Sequence, residues 1–144
     1  MANLPIHWIE ARAYCHATEE EGRVERALAF ACPGGELTRE DLEGHFGNTL
    51  VRLTRRIEHG KAIRAAWENW SNAGLSAALA TSVDARVDDD SVLHFRLDKQ
   101  AAFGERLELA KDSDAIDVRL KLLAYPARPD QARRVARSIL PEAR

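Results

Sequence analysis

The 144-residue chain is long enough for one domain of ordinary size, which buries roughly 68–70 % of its unfolded surface and needs no disulfide or metal staple to fold. Its 21 Lys+Arg and 23 Asp+Glu give a formal net charge of -2, which excludes the overall basicity of a histone-like binder; any affinity for nucleic acid must come from a local patch. Two cysteines, Cys15 and Cys32, make neither a disulfide framework nor a four-cysteine zinc site, and there is no basic-then-apolar leader and no run of 18 apolar residues. The expectation is a soluble, cytoplasmic protein with no membrane partner, a single domain over residues 1–144.

From Ile6 to His16 the side chains alternate as in a strand, with Ile9, Ala11, Ala13 and Cys15 on one face and Trp8, Glu10, Arg12, Tyr14 and His16 on the other. "TEEE" places Thr18 as a helix N-cap with Glu21 three residues on, and Val24, Ala27, Leu28 and Ala31 follow at helical spacing until "CPGGE" ends the helix. "ELTREDLEGHFGN" admits two readings: a short helix capped by Thr38 and Asp41, or an edge strand leading into a glycine turn. From Thr49 to His59, Val51, Leu53 and Ile57 fit a strand's period of two and Leu50, Leu53 and Ile57 fit a helix nearly as well; β-branched content tips the reading to a strand. After Gly60 the period is helical, with Ile63, Ala66, Trp67 and Trp70 in one stripe and Gly74 at the C-cap. Ser76 is placed to cap a further helix carrying Leu79, Val83 and Val87, which "DDDS" stops.

"VLHFRLD" reads as a strand with Leu93, Phe95 and Leu97 inward and His94, Arg96 and Asp98 outward, followed by a short strand "RLEL". Residues 115–125 continue the pattern, with Ile116, Val118, Leu120, Leu122 and Ala124 inward and Asp117, Arg119, Lys121 and Tyr125 outward. Pro126 and Pro129 end that strand, and Asp130 precedes a last helix that buries Ala132, Val135, Ala136 and Ile139. The sum is an α+β fold: a largely antiparallel sheet with helices packed on one face and the other face open to solvent.

The open face gathers Arg12, Arg52, Arg56, Arg96, Arg119 and Lys121 around Trp8, Tyr14 and Tyr125. Cations that pair with phosphates beside rings that stack on bases are what RNA recognition requires, whereas Glu10, Glu58, Asp98 and Asp117 on the same face make a salt-bridged, solvated surface the competing reading. In "EGHFGN" two glycines surround His45 and Phe46 and Asn48 follows; its backbone N–H groups suit a phosphate oxygen, and equally suit a plain turn over a buried Phe46. The five histidines show no HxxxH or HExxH spacing, so no metal site is expected. No serine or cysteine sits in a nucleophile motif, and nothing in the spacing of Asp98, Lys99 and His45 demands a hydrolase.

Taken together, "IEARAYCHATE", "EGHFGN", "FRLDKQAAFG" and "IDVRLKLLAYP" occur in order through nearly the whole chain, and with them the sequence resembles the archaeal RNA-binding protein family described as exosome-subunit-like. The resemblance implies a ribosomal protein L5-type fold and RNA binding linked to the archaeal exosome or to ribosome-related RNA metabolism, with exosome or ribosome-related proteins as partners, no cofactor and no enzymatic activity. On the matching positions it implies an RNA-binding role for Arg12, His16, His45, Gly47, Asn48, Arg96, Asp98, Lys99 and Gln100. In that role Lys99 meets a phosphate, Gln100 a base edge or 2′-OH, and Asp98 fixes Arg96 or Lys99 in place. Here "GNTL" stands where a proline is usual after the asparagine, which implies a less rigid loop. The alternative is a protein-interaction adaptor that uses Trp8, Tyr14 and Tyr125 without direct RNA binding. Two further expectations follow: Lys99 is exposed and holds little of the fold, and His45, Asn48, Arg96 and Lys99 lie close together.

Overall fold

The computed structural model describes residues 4–43 and 49–141. The chain is extended over β1 (Ile6–His16), β2 (Glu36–Glu43), β3 (Thr49–Ile57), β4 (Val92–Asp98) and β5 (Ala115–Leu122); all but β2 carry apolar side chains at every second position, and the largely exposed β2 is held as a strand by its pairing with β3. These make one sheet in the order β2-β3-β1-β5-β4 with every neighbouring pair antiparallel. Of the two readings open for "ELTREDLEGHFGN", the edge strand is the one observed over Glu36–Glu43.

The inward positions of β1, β3, β4 and β5, among them Ile9, Ala11, Leu53, Phe95, Val118 and Leu120, are buried in one apolar core with the helices. Burying a large aliphatic or aromatic side chain contributes about 1.5–3 kcal/mol, so this face fixes the register: a slip of one residue would send every one of these side chains to solvent.

Among the described residues there are six helices: α1 (Glu21–Ala31), α2 (Gly60–Asn72), α3 (Leu75–Ala80), α4 (Val83–Arg86), α5 (Lys99–Phe103) and α6 (Pro129–Ile139). α1 buries Val24, Ala27, Leu28 and Ala31, as their spacing requires, and α2 buries Ile63, Ala66, Trp67 and Trp70. Trp70 locks the two helices to the sheet, donating its indole N–H to the Ala31 carbonyl at 2.8 Å and meeting the Phe95 ring edge-on at 5.4 Å. Arg55, the one long cation on the inward side of β3, donates to the carbonyls of Cys32 (3.1 Å) and Gly34 (2.8 Å), just past the end of α1. Gly35 beside it has φ +79, and a Cβ there would lie 2.2 Å from the Arg56 carbonyl oxygen, so only glycine fits the approach of this loop to β3.

Several local expectations fail. Glu20, not Thr18, is the N-cap of α1, because β1 and its turn run on to that point; Glu19 instead folds back to accept from the His16 backbone N–H at 3.1 Å. Ser76 lies inside α3, whose N-cap is Gly74 with φ 83, and Val87 is not helical but forms a bridge with Leu93. "RLEL" is reduced to a single bridge, Leu97 to Leu109, and β5 stops at Leu122, after which Leu123 donates to Pro5. The helix α5 was not foreseen. Asp98 starts it by accepting from the Ala101 backbone N–H at 2.8 Å, so "LDKQAAF" is a strand end turned directly into an Asp-capped helix.

Candidate nucleic-acid interface

The outward positions of the sheet line up across the strands in rows. One row runs Arg56, Glu10, Arg119, His94 across β3, β1, β5 and β4, and the next runs Thr54, Arg12, Asp117, Arg96. Tyr14 stands opposite Arg52 at one end, and Trp8 opposite Lys121 at the other. The sequence-derived cationic face is therefore assembled by the strand registers, with Arg12, Arg52, Arg56, Arg96, Arg119 and Lys121 all on it. Tyr125 lies beyond the end of β5 and is 81 % exposed.

Glu10 is the hub of this face. Its carboxylate accepts from Arg119 at 2.8 Å, Arg56 at 3.0 Å and Arg12 at 3.3 Å. Burial pushes the Glu10 carboxyl up, but the bonds and charges of Arg119, then Arg56 and Arg12, outweigh it and hold the group below the usual carboxylate range. The other pairs are Arg56–Glu58 at 2.7 Å, Arg52–Glu40 at 2.7 Å and Arg96–Asp117 at 3.0 Å, while Lys121 donates among the described residues only to the Asp90 carbonyl. Five of the six cations, the arginines, thus share four carboxylates, and Glu36 stands opposite Arg56 in the same row, so the face carries its cations among acids rather than as a bare positive field. Arg56 also lies over the Trp8 ring, 4.3 Å from its centroid, so this aromatic is covered rather than offered bare. The crowding has a cost: the buried Nε of Arg12 and of Arg52 find no partner among the described residues.

Lys99 is where the structure departs most from expectation. It is 1 % exposed, not a surface cation, because α5 begins under the point where β1 and β5 diverge. Its ammonium donates to the Tyr14 carbonyl at 3.0 Å, to Glu19 at 3.0 Å and to Asp114 at 2.7 Å, which uses all three of its protons. Burial pushes its pKa down, but the bonds to Asp114 and Glu19 outweigh this and raise it above the ordinary lysine value; Asp114 is correspondingly held low. Lys99 is a tie between the segments before α1, before β5 and within β1, and its protons are not free to meet a phosphate. Asp98 caps α5 instead of fixing Arg96 or Lys99, and Gln100, exposed, donates to Asp114 at 3.2 Å.

His16 and Gln100 border a cleft of about 640 Å3 above Lys99, together with Tyr14, Glu19 and Asp114. The ligand atoms of His16, Glu19 and Asp114 lie within 4.8 Å of one another, a geometry able to hold a metal ion, but the Lys99 ammonium already stands between the two carboxylates as their cation. Arg96, exposed, donates to the Ser113 carbonyl at 3.2 Å, so it and Lys99 reach the same segment, 113–117, from different environments. His45, Gly47 and Asn48 lie outside the described residues, and so does the expected gathering of His45 and Asn48 with Arg96 and Lys99. Sequence reasoning missed Glu19 and Asp114 as partners of Lys99 because each is remote in the chain. The Asp98 cap did have a local signal, an aspartate immediately before "KQAAF".

The chain as a whole has relatives of known kind. The RNA-binding protein PAB1135 of Pyrococcus abyssi is 30 % identical over 149 residues, covering 95 % of each chain. The DUF54 protein Mth689 of Methanothermobacter thermautotrophicus superposes with TM-score 0.83 at 32 % identity, over 94 % of this chain and 98 % of its own. AF2318 of Archaeglobus fulgidus, also a DUF54 protein, gives TM-score 0.83 at 28 % identity, over 93 % and 99 %. The family model described as RNA binding matches residues 8–122, from the Trp8 end of β1 to the last residue of β5 and so across the whole of the cationic sheet face; the chain belongs to that RNA-binding family.

Proposed function

We propose that this protein is a non-catalytic RNA-binding accessory protein that meets RNA with the solvent face of its sheet. One observation carries the reading: six cationic side chains are gathered in cross-strand rows on one solvent-facing side of the sheet. From Arg52 on β3 to Arg96 on β4 is three strand spacings, about 14 Å, and from Asp117 to Lys121 along β5 is about 13 Å, a field wide enough for several phosphates. The pairs at its rim are weak. Arg96 and Asp117 are each about half exposed, and such pairs contribute only about 0–1 kcal/mol, so a phosphate can exchange for the carboxylate at little cost. Guanidinium forks suit that exchange better than ammonium groups, and five of the six cations are arginines.

Membership of the RNA-binding family supports the same reading, as does the likeness to the Pyrococcus abyssi RNA-binding protein. The link to the archaeal exosome or to ribosome-related RNA metabolism, and the L5-type fold, rest on the sequence resemblance. Electrophoretic mobility shift with single-stranded and structured RNA tests the proposal. Retarded bands that disappear as salt is raised are expected, and absence of any shift at low salt contradicts it.

A further inference from the structure

A second cationic concavity lies in the helical layer. α1 packs on α5, and near the C-terminal end of α5 they border a cleft of about 340 Å3 lined by Arg23, Arg26, Phe30, Phe103, Gly104 and Glu105. Arg23 and Arg26 are three residues apart on α1 and so project from neighbouring positions of one face, and Phe30 follows one turn on. Phe103 closes α5, and the Arg23 guanidinium lies 5.2 Å from its ring centroid, which holds that guanidinium beside an aromatic wall.

What separates this cleft from the sheet face is that its cations are unspent. The nearby Glu21 is committed to Arg39 at 2.9 Å, and neither Arg23 nor Arg26 forms an ion pair among the described residues. Two exposed guanidiniums that form no ion pair among the described residues, with Glu105 at the edge of the same cleft and two half-buried phenyl rings beside them, provide forked donors for a phosphate and π surface for a base. The volume sits at the small end of ligand pockets, which run from about 300 to 1,000 Å3, so it accepts one nucleotide and no helix.

We infer that this cleft takes a single nucleoside phosphate, the phosphate on Arg23 and Arg26 and the base against the Phe103 and Phe30 side. The inference rests on the RNA-binding reading in one respect: the nucleotide is a residue of a bound RNA strand, so the protein grips RNA on two surfaces. The test follows the backbone amide signals of Phe103 and Gly104 while the full-length protein is titrated with adenosine monophosphate and, separately, with a single-stranded RNA oligomer. Both ligands are expected to move these signals. In the Arg23→Gln/Arg26→Gln double variant the movement is expected to vanish, and the slope of log K for RNA against log[salt] to flatten by about 1.4, two contacts at about 0.7 each. Both arginines are exposed, so the variant is expected to keep the wild-type fold, checked by circular dichroism. Signals that stay still with both ligands, or that move equally in the double variant, overturn the site. Movement with the mononucleotide but not with RNA overturns its assignment to an RNA strand. A protein that binds no RNA at all contradicts the sheet-face proposal, while the mononucleotide titration still decides the cleft.

Discussion

Replacing Lys99 by Met keeps the buried stem and deletes the charge, and the structure predicts a loss of stability with no loss of phosphate contact. The substitution frees the Tyr14 carbonyl and leaves Glu19 and Asp114 facing each other without their cation. Removing one partner of a fully buried pair costs about 3–5 kcal/mol. Here the Lys99 side chain is 2 % exposed but Glu19 and Asp114 are 22 % and 41 % exposed and recover some hydration. The expected loss is therefore about 2–3 kcal/mol, or roughly 4–12 °C in Tm for a chain of this size. Urea unfolding followed by tryptophan fluorescence measures it. The pH dependence carries a sign as well. Because Lys99 is raised, its contribution is complete below the ordinary lysine pKa of about 10.4 and is lost as pH climbs through the folded value. Because Asp114 is lowered, its share is present above about pH 4 and is lost as pH falls further. The difference between wild type and variant is thus flat across neutral pH and shrinks at both ends. A variant within about 0.5 kcal/mol of wild type, or one whose RNA salt slope flattens by about 0.7, refutes the structural role and restores Lys99 as a phosphate contact.

Glu10→Gln leaves Arg12, Arg56 and Arg119 crowded around a neutral amide; about 1–3 kcal/mol of stability should be lost in urea titration while low-salt RNA affinity rises, since the face sheds a negative charge. Since the Glu10 carboxyl is held low, its contribution exists above about pH 4.3 and disappears as pH falls through the folded value, so the acid limb of the stability profile should be flatter in the variant. Burial pushes the Cys32 thiol up to about 12, against a smaller opposing pull from Arg55, so a thiol reagent at pH 8 should modify Cys32 only at the rate of unfolding; prompt reaction in the folded protein would contradict its burial. Asp98→Ala removes the cap of α5 and should cost about 1 kcal/mol in chemical denaturation, with RNA affinity unchanged.

The sheet was legible because its signal is local. Alternation in "IHWIEARAYCH" and "AIDVRLKL" sorts side chains between a core and an open face without knowledge of any partner strand, and so it placed Arg12, Arg119 and Lys121 correctly. The stripe of Ile63, Ala66, Trp67 and Trp70 gave α2 by the same logic at period 3.6. Reading failed where the outcome depends on pairing across the chain. Nothing near Lys99 announces Glu19, eighty residues away, so a lysine at a polar strand end looked solvated and is instead buried. Glu10 was visible as an acid on the face, but its role at the centre of three arginines comes from the registers of β1 with β3 and β5. Thr18 failed as a cap for a local reason: the β1 turn extends past it, and the competing side-chain bond is made by Glu19.

The most direct test of RNA binding by the sheet face is the salt dependence of RNA affinity in an Arg96→Gln/Arg119→Gln/Lys121→Gln triple variant. Glu10 keeps Arg12 and Arg56 in this variant but loses Arg119, and all three replaced side chains lie on the solvent side of the sheet, so circular dichroism is expected to stay close to wild type with a modestly lowered Tm. For single-stranded RNA each phosphate contact contributes about 0.7 to the slope of log K against log[salt], so loss of three should flatten it by about 2 and weaken binding to every RNA sequence alike. A folded triple variant that binds with the wild-type slope and affinity would show that RNA does not meet this face.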